Sequence, residues 1–143
     1  MALSTFVAAR DEILTVFKTA WDAQAAPIPP VVWGDVEGDP PRDATAWAWA
    51  RVLHQTSDQA TLGESGSRRF RRLGLVIITI YTKAGDGLVF SDFYSKLVVD
   101  AFEGKTSASG SVWFRNVRLN EFGQDGDWHV STVMADFEYD EVK

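Results

Sequence analysis

Residues 61–87 read TLGESGSRRFRRLGLVIITIYTKAGDG, and this run decides the fold. It holds a turn around Gly63 and Gly66, four arginines about Phe70, a long apolar stretch, and a closing turn at Gly85-Asp86-Gly87. Residues 70–82 predict a strand. Ile77 and Ile78 point to opposite sides of it, so its middle expects cover on both faces. The polar segment 56–67 predicts a loop. Before that loop, residues 45–55 alternate: Trp47, Trp49, Arg51 and Leu53 take one side, and Ala46, Ala48, Ala50, Val52 and His54 the other. A two-residue period of this kind predicts a strand with one bulky and one small face. Ala48 and Ala50 would let another element approach closely. Two strands flanking a loop make a hairpin with a charged, polar tip.

Working outward, residues 4–24 place Phe6, Ile13, Phe17 and Trp21 on one stripe, with Val7, Leu14 and Val16 beside it. That spacing predicts an amphipathic helix. Ser4 is its expected N-cap, and Pro27, Pro29 and Pro30 forbid continuation. Val31, Val32 and Trp33 predict a short edge strand, followed by an acidic, turn-rich loop over 34–43. Residues 88–103 predict a second amphipathic helix, with Phe90, Phe93, Tyr94, Leu97, Val98 and Ala101 on its apolar side and Gly104 ending it. A small-residue linker, 106–111, leads to strands at 112–121 and 128–139 joined by a Gly-Gln-Asp-Gly-Asp turn. The fold class expected is α+β: an antiparallel or mixed sheet of four to five strands, built from two hairpins, with two helices in the order α-β-β-β-α-β-β. The strand–helix–strand unit in the middle, if parallel, should cross over right-handedly. A chain of 143 residues without an internal repeat reads as one domain, 1–143.

Composition narrows the chemistry. Cysteine is absent, which excludes disulfides, thiolate zinc sites and cysteine nucleophiles. The net charge of −6 makes general phosphate binding unfavourable, since neutralising phosphates dominates duplex affinity. Arg10, Asp11 and Glu12 interrupt the N-terminus, so no signal peptide is expected. The longest apolar run, 73–81, falls far short of the roughly 20 residues a membrane helix needs. The expectation is a protein with no membrane contact.

Three patterns invite a chemical reading. Gly104-Lys105-Thr106 has the end of a phosphate loop, but that motif needs glycine at 99, where Val99 stands, and it follows a helix instead of a strand. Asp35, Glu37, Asp39 and Asp43 could suggest calcium, yet an EF-hand loop begun at Asp35 needs glycine at 40 and glutamate at 46, and these are Pro40 and Ala46. Asp125, Asp127 and His129 cluster near a turn, with His54 as the only other histidine. A zinc or general-base site needs further partners from elsewhere. No cofactor and no metal are therefore expected. A small hydrolase or ligand-binding domain built on His54 and His129 stays open as an alternative.

Arg68, Arg69, Phe70, Arg71 and Arg72 are the strongest anomaly. Exposed ion pairs contribute only about 0–1 kcal/mol each, so four guanidiniums are not required for the strand's own stability. One reading is a solvated hairpin whose charges discourage edge pairing. The other is recognition of carboxylates on a partner, which arginine binds in a planar, two-toothed geometry. The chain itself offers such carboxylates at Asp35, Glu37 and Asp39 and over 138–141. Trp33, Trp47, Trp49, Trp113 and Trp128 exceed what a small core readily hides, and aromatic residues are enriched at interfaces.

The order of the Leu62-Gly63 turn, the arginine pairs, the Ala84-Gly85-Asp86-Gly87 helix start and the closing WHVSTVMADFEYD strand resembles the tail-terminator-like family of tailed phages. The likeness covers about residues 31–139, with an N-terminal helix in the expected place. It implies a small α+β structural protein, not an enzyme, that assembles as a homo-oligomeric ring, a hexamer, on the end of a long non-contractile tail tube. It implies three partners: further copies of itself, the tail tube protein and the head–neck connector protein, with DNA passing through the lumen unbound. The location implied is the virion tail or neck, and the host cytoplasm during assembly. Arg68, Arg69, Phe70, Arg71, Arg72, Trp47, Trp49, Asp35, Glu37 and Asp39 are the expected contact residues. A head-completion or connector protein of the neck is the alternative within the same machinery.

Overall fold

The computed structural model of the chain describes residues 5–25, 28–34, 44–85 and 87–143. Its elements are α1 (Phe6–Asp22), β1 (Val31–Trp33), β2 (Ala46–Gln59), β3 (Arg69–Lys83), α2 (Val89–Phe102), β4 (Trp113–Asp125) and β5 (Trp128–Val142). The strands form one mixed sheet in the order β1-β2-β3-β5-β4. The short β1 runs parallel to β2 at the edge, and the other neighbouring pairs are antiparallel. β3 and β4 therefore point the same way, with β5 inserted between them and α2 carrying the chain across.

The small parity of β2 faces the helices. Ala48, Ala50 and Val52 pair with Ile80, Ile78 and Val76 of β3, which in turn pair with Ser131, Val133 and Ala135 of β5. Ala9, Ile13, Phe17 and Trp21 of α1 close on this surface with Val98 and Phe102 of α2. The Trp21 indole N–H donates to the Pro29 carbonyl at 2.8 Å, tying the helix end to the proline-rich turn. Both helices lie on one face, and among the described residues no helix covers the other face of the sheet.

Three expectations are corrected. The α1 stripe begins at Ala9: Phe6 is 48% exposed and packs edge-on against His54 instead, while Val7 faces outward. The N-cap is Thr5, whose hydroxyl accepts from the Ala8 N–H at 3.2 Å; Ser4 lies outside the described residues. In α2 the buried positions are Ser91, Ser95, Val98 and Phe102, with Tyr94, Leu97 and Ala101 half-buried, whereas Phe90 and Phe93 are 57% and 54% exposed. The serines fit because Ser91 and Ser95 hydroxyls meet Ser131 at 3.2 and 3.3 Å on the sheet. A polar pair can sit in a buried seam once its hydrogen bonds are made.

The hairpin is also longer than its side chains suggested. Thr56, Ser57, Asp58 and Gln59 continue β2 against Leu73, Arg72, Arg71 and Phe70, after a bulge between His54 and Thr56. Backbone pairing holds this polar stem without an apolar face. β4 and β5 likewise run on to Asp125 and Val142, so their turn shrinks to Gly126 and Asp127. Asn116, at φ +55°, sits in a β4 bulge between Arg115 and Arg118.

Candidate functional site

The arginine run becomes the stem of the β2–β3 hairpin, flanked by β5. Arg69 meets Asp140 at 3.8 Å, Arg71 meets Glu138 at 3.0 Å, and Arg72 meets Glu141 at 3.6 Å. Glu138 is shared with Arg115 of β4. The carboxylates over 138–141 that the sequence offers to neighbouring subunits thus face these three arginines within the same chain. Arg72 is buried and lies over the Phe6 and Phe70 rings at 5.3 and 5.5 Å. Arg68 differs: its Nε donates to the Gly63 carbonyl at 2.9 Å, and no carboxylate pairs with it among the described residues. Backbone bonds extend the stem, with Ala60 N–H donating to the Arg69 carbonyl and Lys143 N–H to the Arg68 carbonyl. At the tip, Leu62 is 94% exposed.

Asp35, Glu37 and Asp39 lie outside the described residues. Trp47 and Trp49 fall on the sheet face without helices. Trp47 stacks on Tyr81, its register partner, with centroids 3.9 Å apart, and meets Trp128 edge-on. Trp49 donates its indole N–H to the Gly34 carbonyl at 3.1 Å and carries the Arg51 guanidinium over its ring at 4.0 Å. Further along this face come Leu53, 45% exposed, and the half-buried Leu73, Leu75, Ile77 and Met134. Apolar side chains fill the middle of this face, with ion pairs at one end and stacked rings at the other, and no helix covers it among the described residues.

A second uncovered surface lies on the outer side of the helices. α1 and α2 leave a groove of about 920 Å³ between them, floored by Val16, Ala20, Phe93, Leu97 and Ala101. It continues past Phe93 into a smaller hollow beside Ile28, Pro29, Val89 and Phe90. The sequence reading missed this site because it counted Phe90 and Phe93 toward the core. The spacing of Ser91, Ser95, Val98 and Phe102 at four-, three- and four-residue intervals was the signal available, masked by the larger rings beside it.

The histidines do not meet. His54 pairs with Gly74 and His129 with Thr82, eight residues apart on β3, or about 26 Å along a strand. The hydrolase alternative needed both imidazoles in one cleft, and the sheet places them toward opposite ends. Arg10 can only donate, so at 3.4 Å it fixes His54 Nδ1 as an acceptor, leaving Nε2–H to donate to the Tyr139 hydroxyl at 2.8 Å. Burial lowers the His54 pKa, and the Arg10 and Arg72 charges lower it further. Burial pushes the Tyr139 phenol up to about 12, with Glu141 adding to the rise. This cluster is a neutral packing element at the hairpin base. Among the described residues, no group of three or more His, Asp or Glu side chains is placed to hold a metal ion.

No curated protein matches the chain. A solved structure superposes with a TM-score of 0.66 at 18% identity, covering 91% of this chain and 94% of its own, which establishes a shared fold. The sequence profile described as phage tail terminator protein matches residues 12–133, from within α1 through β1, the whole hairpin, α2 and β4 to the first part of β5. The chain belongs to the phage tail terminator protein family, and is a structural component of a phage tail.

Proposed function

We propose that this protein caps the end of a long non-contractile tail tube as a hexameric ring, stops its growth and presents the surface met by the head–neck connector protein. The observation that supports this is a single family fold with two uncovered, dissimilar surfaces, the bare sheet face and the helix groove. A heterologous ring needs two different patches on each subunit. The paired stem arginines Arg69, Arg71 and Arg72 hold the hairpin stiff, and with Phe70 they form one flank of the contact, to which Arg68 adds a guanidinium without a carboxylate partner among the described residues. Trp47 and Trp49 anchor the sheet face. Asp35, Glu37 and Asp39 supply carboxylates to a neighbour. DNA passes through the lumen of an acidic ring without being gripped, since like charges repel. Assembly takes place in the host cytoplasm.

Electron microscopy of the purified protein mixed with tail tubes tests this. Capped tubes of defined length with ring-shaped ends are expected. Binding to portal-bearing heads but not to tubes would move the protein to the connector side of the neck.

A further inference from the structure

Two features with no partner of their own sit on this chain, and they match. At the hairpin tip, Leu62 stands almost wholly in solvent, and Arg68 folds back beside it through its bond to the Gly63 carbonyl. The tip therefore presents an apolar side chain together with the exposed Glu64 and with Arg68, a cation that has no carboxylate partner among the described residues. The helix groove is the converse: an apolar floor with Asp11 and Glu12 on its α1 rim. Ser107 and Ser109 donate to Glu12 at 2.7 Å each, holding its carboxylate at that rim. Asp11 has no cation partner among the described residues.

The two features cannot satisfy each other within one subunit. The tip projects beyond the end of the sheet where Arg69 pairs with Val142. The groove opens on the far side of the helix layer, away from the sheet. We propose that the Leu62 tip of one copy seats in the α1–α2 groove of the next, with Arg68 meeting Asp11 and Glu12. The occupant is a second copy because both halves of the contact, a projecting leucine beside Arg68 and an apolar groove with Asp11 and Glu12 on one rim, are carried by the same chain. Such a contact is head-to-tail, and repeated around a closed rotation it makes a ring. The inference rests on the ring reading above and names the surfaces that would build it.

Thiol crosslinking tests the contact directly, because the chain has no cysteine of its own. Leu62→Cys combined with Ala101→Cys, oxidised on tail tubes, is expected to give a covalent ladder extending to the full ring. Mixing the two single variants should yield tip-to-groove dimers and no longer ladder. Leu62→Asp should weaken self-association about ten- to hundredfold, the effect of burying one leucine, while thermal stability stays unchanged. Arg68→Glu should weaken it as well, and adding Asp11→Arg should restore it. Rings visible on tubes without any ladder, or Leu62→Asp assembling like wild type, would overturn the contact and leave the ring intact. A wild-type protein that forms no ring on tubes would remove the ring reading, and this contact with it.

Discussion

Gly74→Ala is expected to destabilise the protein although the position lies in mid-strand. Gly74 pairs with His54 on one side and Phe137 on the other. A methyl group there would overlap both the Leu53 carbonyl oxygen and the Phe137 ring. That ring is buried, edge-on to His54 at 5.3 Å and nearly parallel to Tyr139 at 6.2 Å. The chain can tilt the ring and lose this packing, or part β2 from β3 beside the bulge. Overpacking of this kind costs about 1–3 kcal/mol. Alanine offsets about 0.5–1 kcal/mol by reducing the freedom of the unfolded chain. The net loss is up to about 2.5 kcal/mol, and at roughly 2–4 °C per kcal/mol for chains near this size, Tm should drop by up to about 10 °C. Calorimetry and urea unfolding measure it. Combining Gly74→Ala with Phe137→Leu should cost less than the sum of the two, since the smaller side chain makes room for the methyl. A Tm at or above wild type, or strict additivity, would refute the seating of the Phe137 ring over the glycine.

Two further outcomes follow from the same end of the molecule. Arg69→Gln with Arg71→Gln removes two partly exposed ion pairs, each contributing about 0–1 kcal/mol, so circular dichroism should show an intact fold with Tm lowered by no more than about 8 °C. Complete unfolding would mean that the pairs carry far more than their exposure allows. His54 has its folded pKa below the ordinary 6.5, so the unfolded chain binds the proton more readily. Its contribution to stability is complete above pH 6.5 and is lost as the pH falls toward the folded value. Thermal melts at pH 7.5 and 5.5 should therefore differ more for wild type than for His54→Gln, and equal differences would take His54 out of the acid response.

Much of the fold is legible in the residues, because the sheet obeys its two-residue period. The alternation from Trp47 to Val52 gave both faces of β2, and the small parity did turn toward the helices. What stayed hidden depends on groups that periodicity does not weigh. The stem residues Thr56, Ser57, Asp58 and Gln59 look like loop, since backbone hydrogen bonds in an exposed ribbon leave no hydrophobic trace. The ends of β5 were obscured by Asp140 and Glu141, whose charges suit a strand only because Arg69 and Arg72 stand across from them. That pairing joins residues some seventy positions apart and cannot be read before the strand order is known. For the same reason, the arginine run does not reveal in sequence that Arg69, Arg71 and Arg72 pair within the chain while Arg68 has no carboxylate partner among the described residues.

The exposure of Phe90 and Phe93 and the closeness of the helix layer have one cause. Ala48 and Ala50 on the sheet, and Ser91 and Ser95 against Ser131, keep these positions of the helix–sheet seam small, while Phe17, Trp21 and Phe102 fill the rest of it. Ser91 and Ser95 take the inward positions of the first turns of α2, so Phe90 and Phe93 lie off the buried stripe. Those two rings stand outside, on the walls of the groove and its adjoining hollow. A core built for size alone would have buried them and smoothed this surface. Here tight packing inside and an open apolar groove outside arise from the same placement of alanine and serine. The groove is therefore fixed by the same inward positions of α2 that build the core.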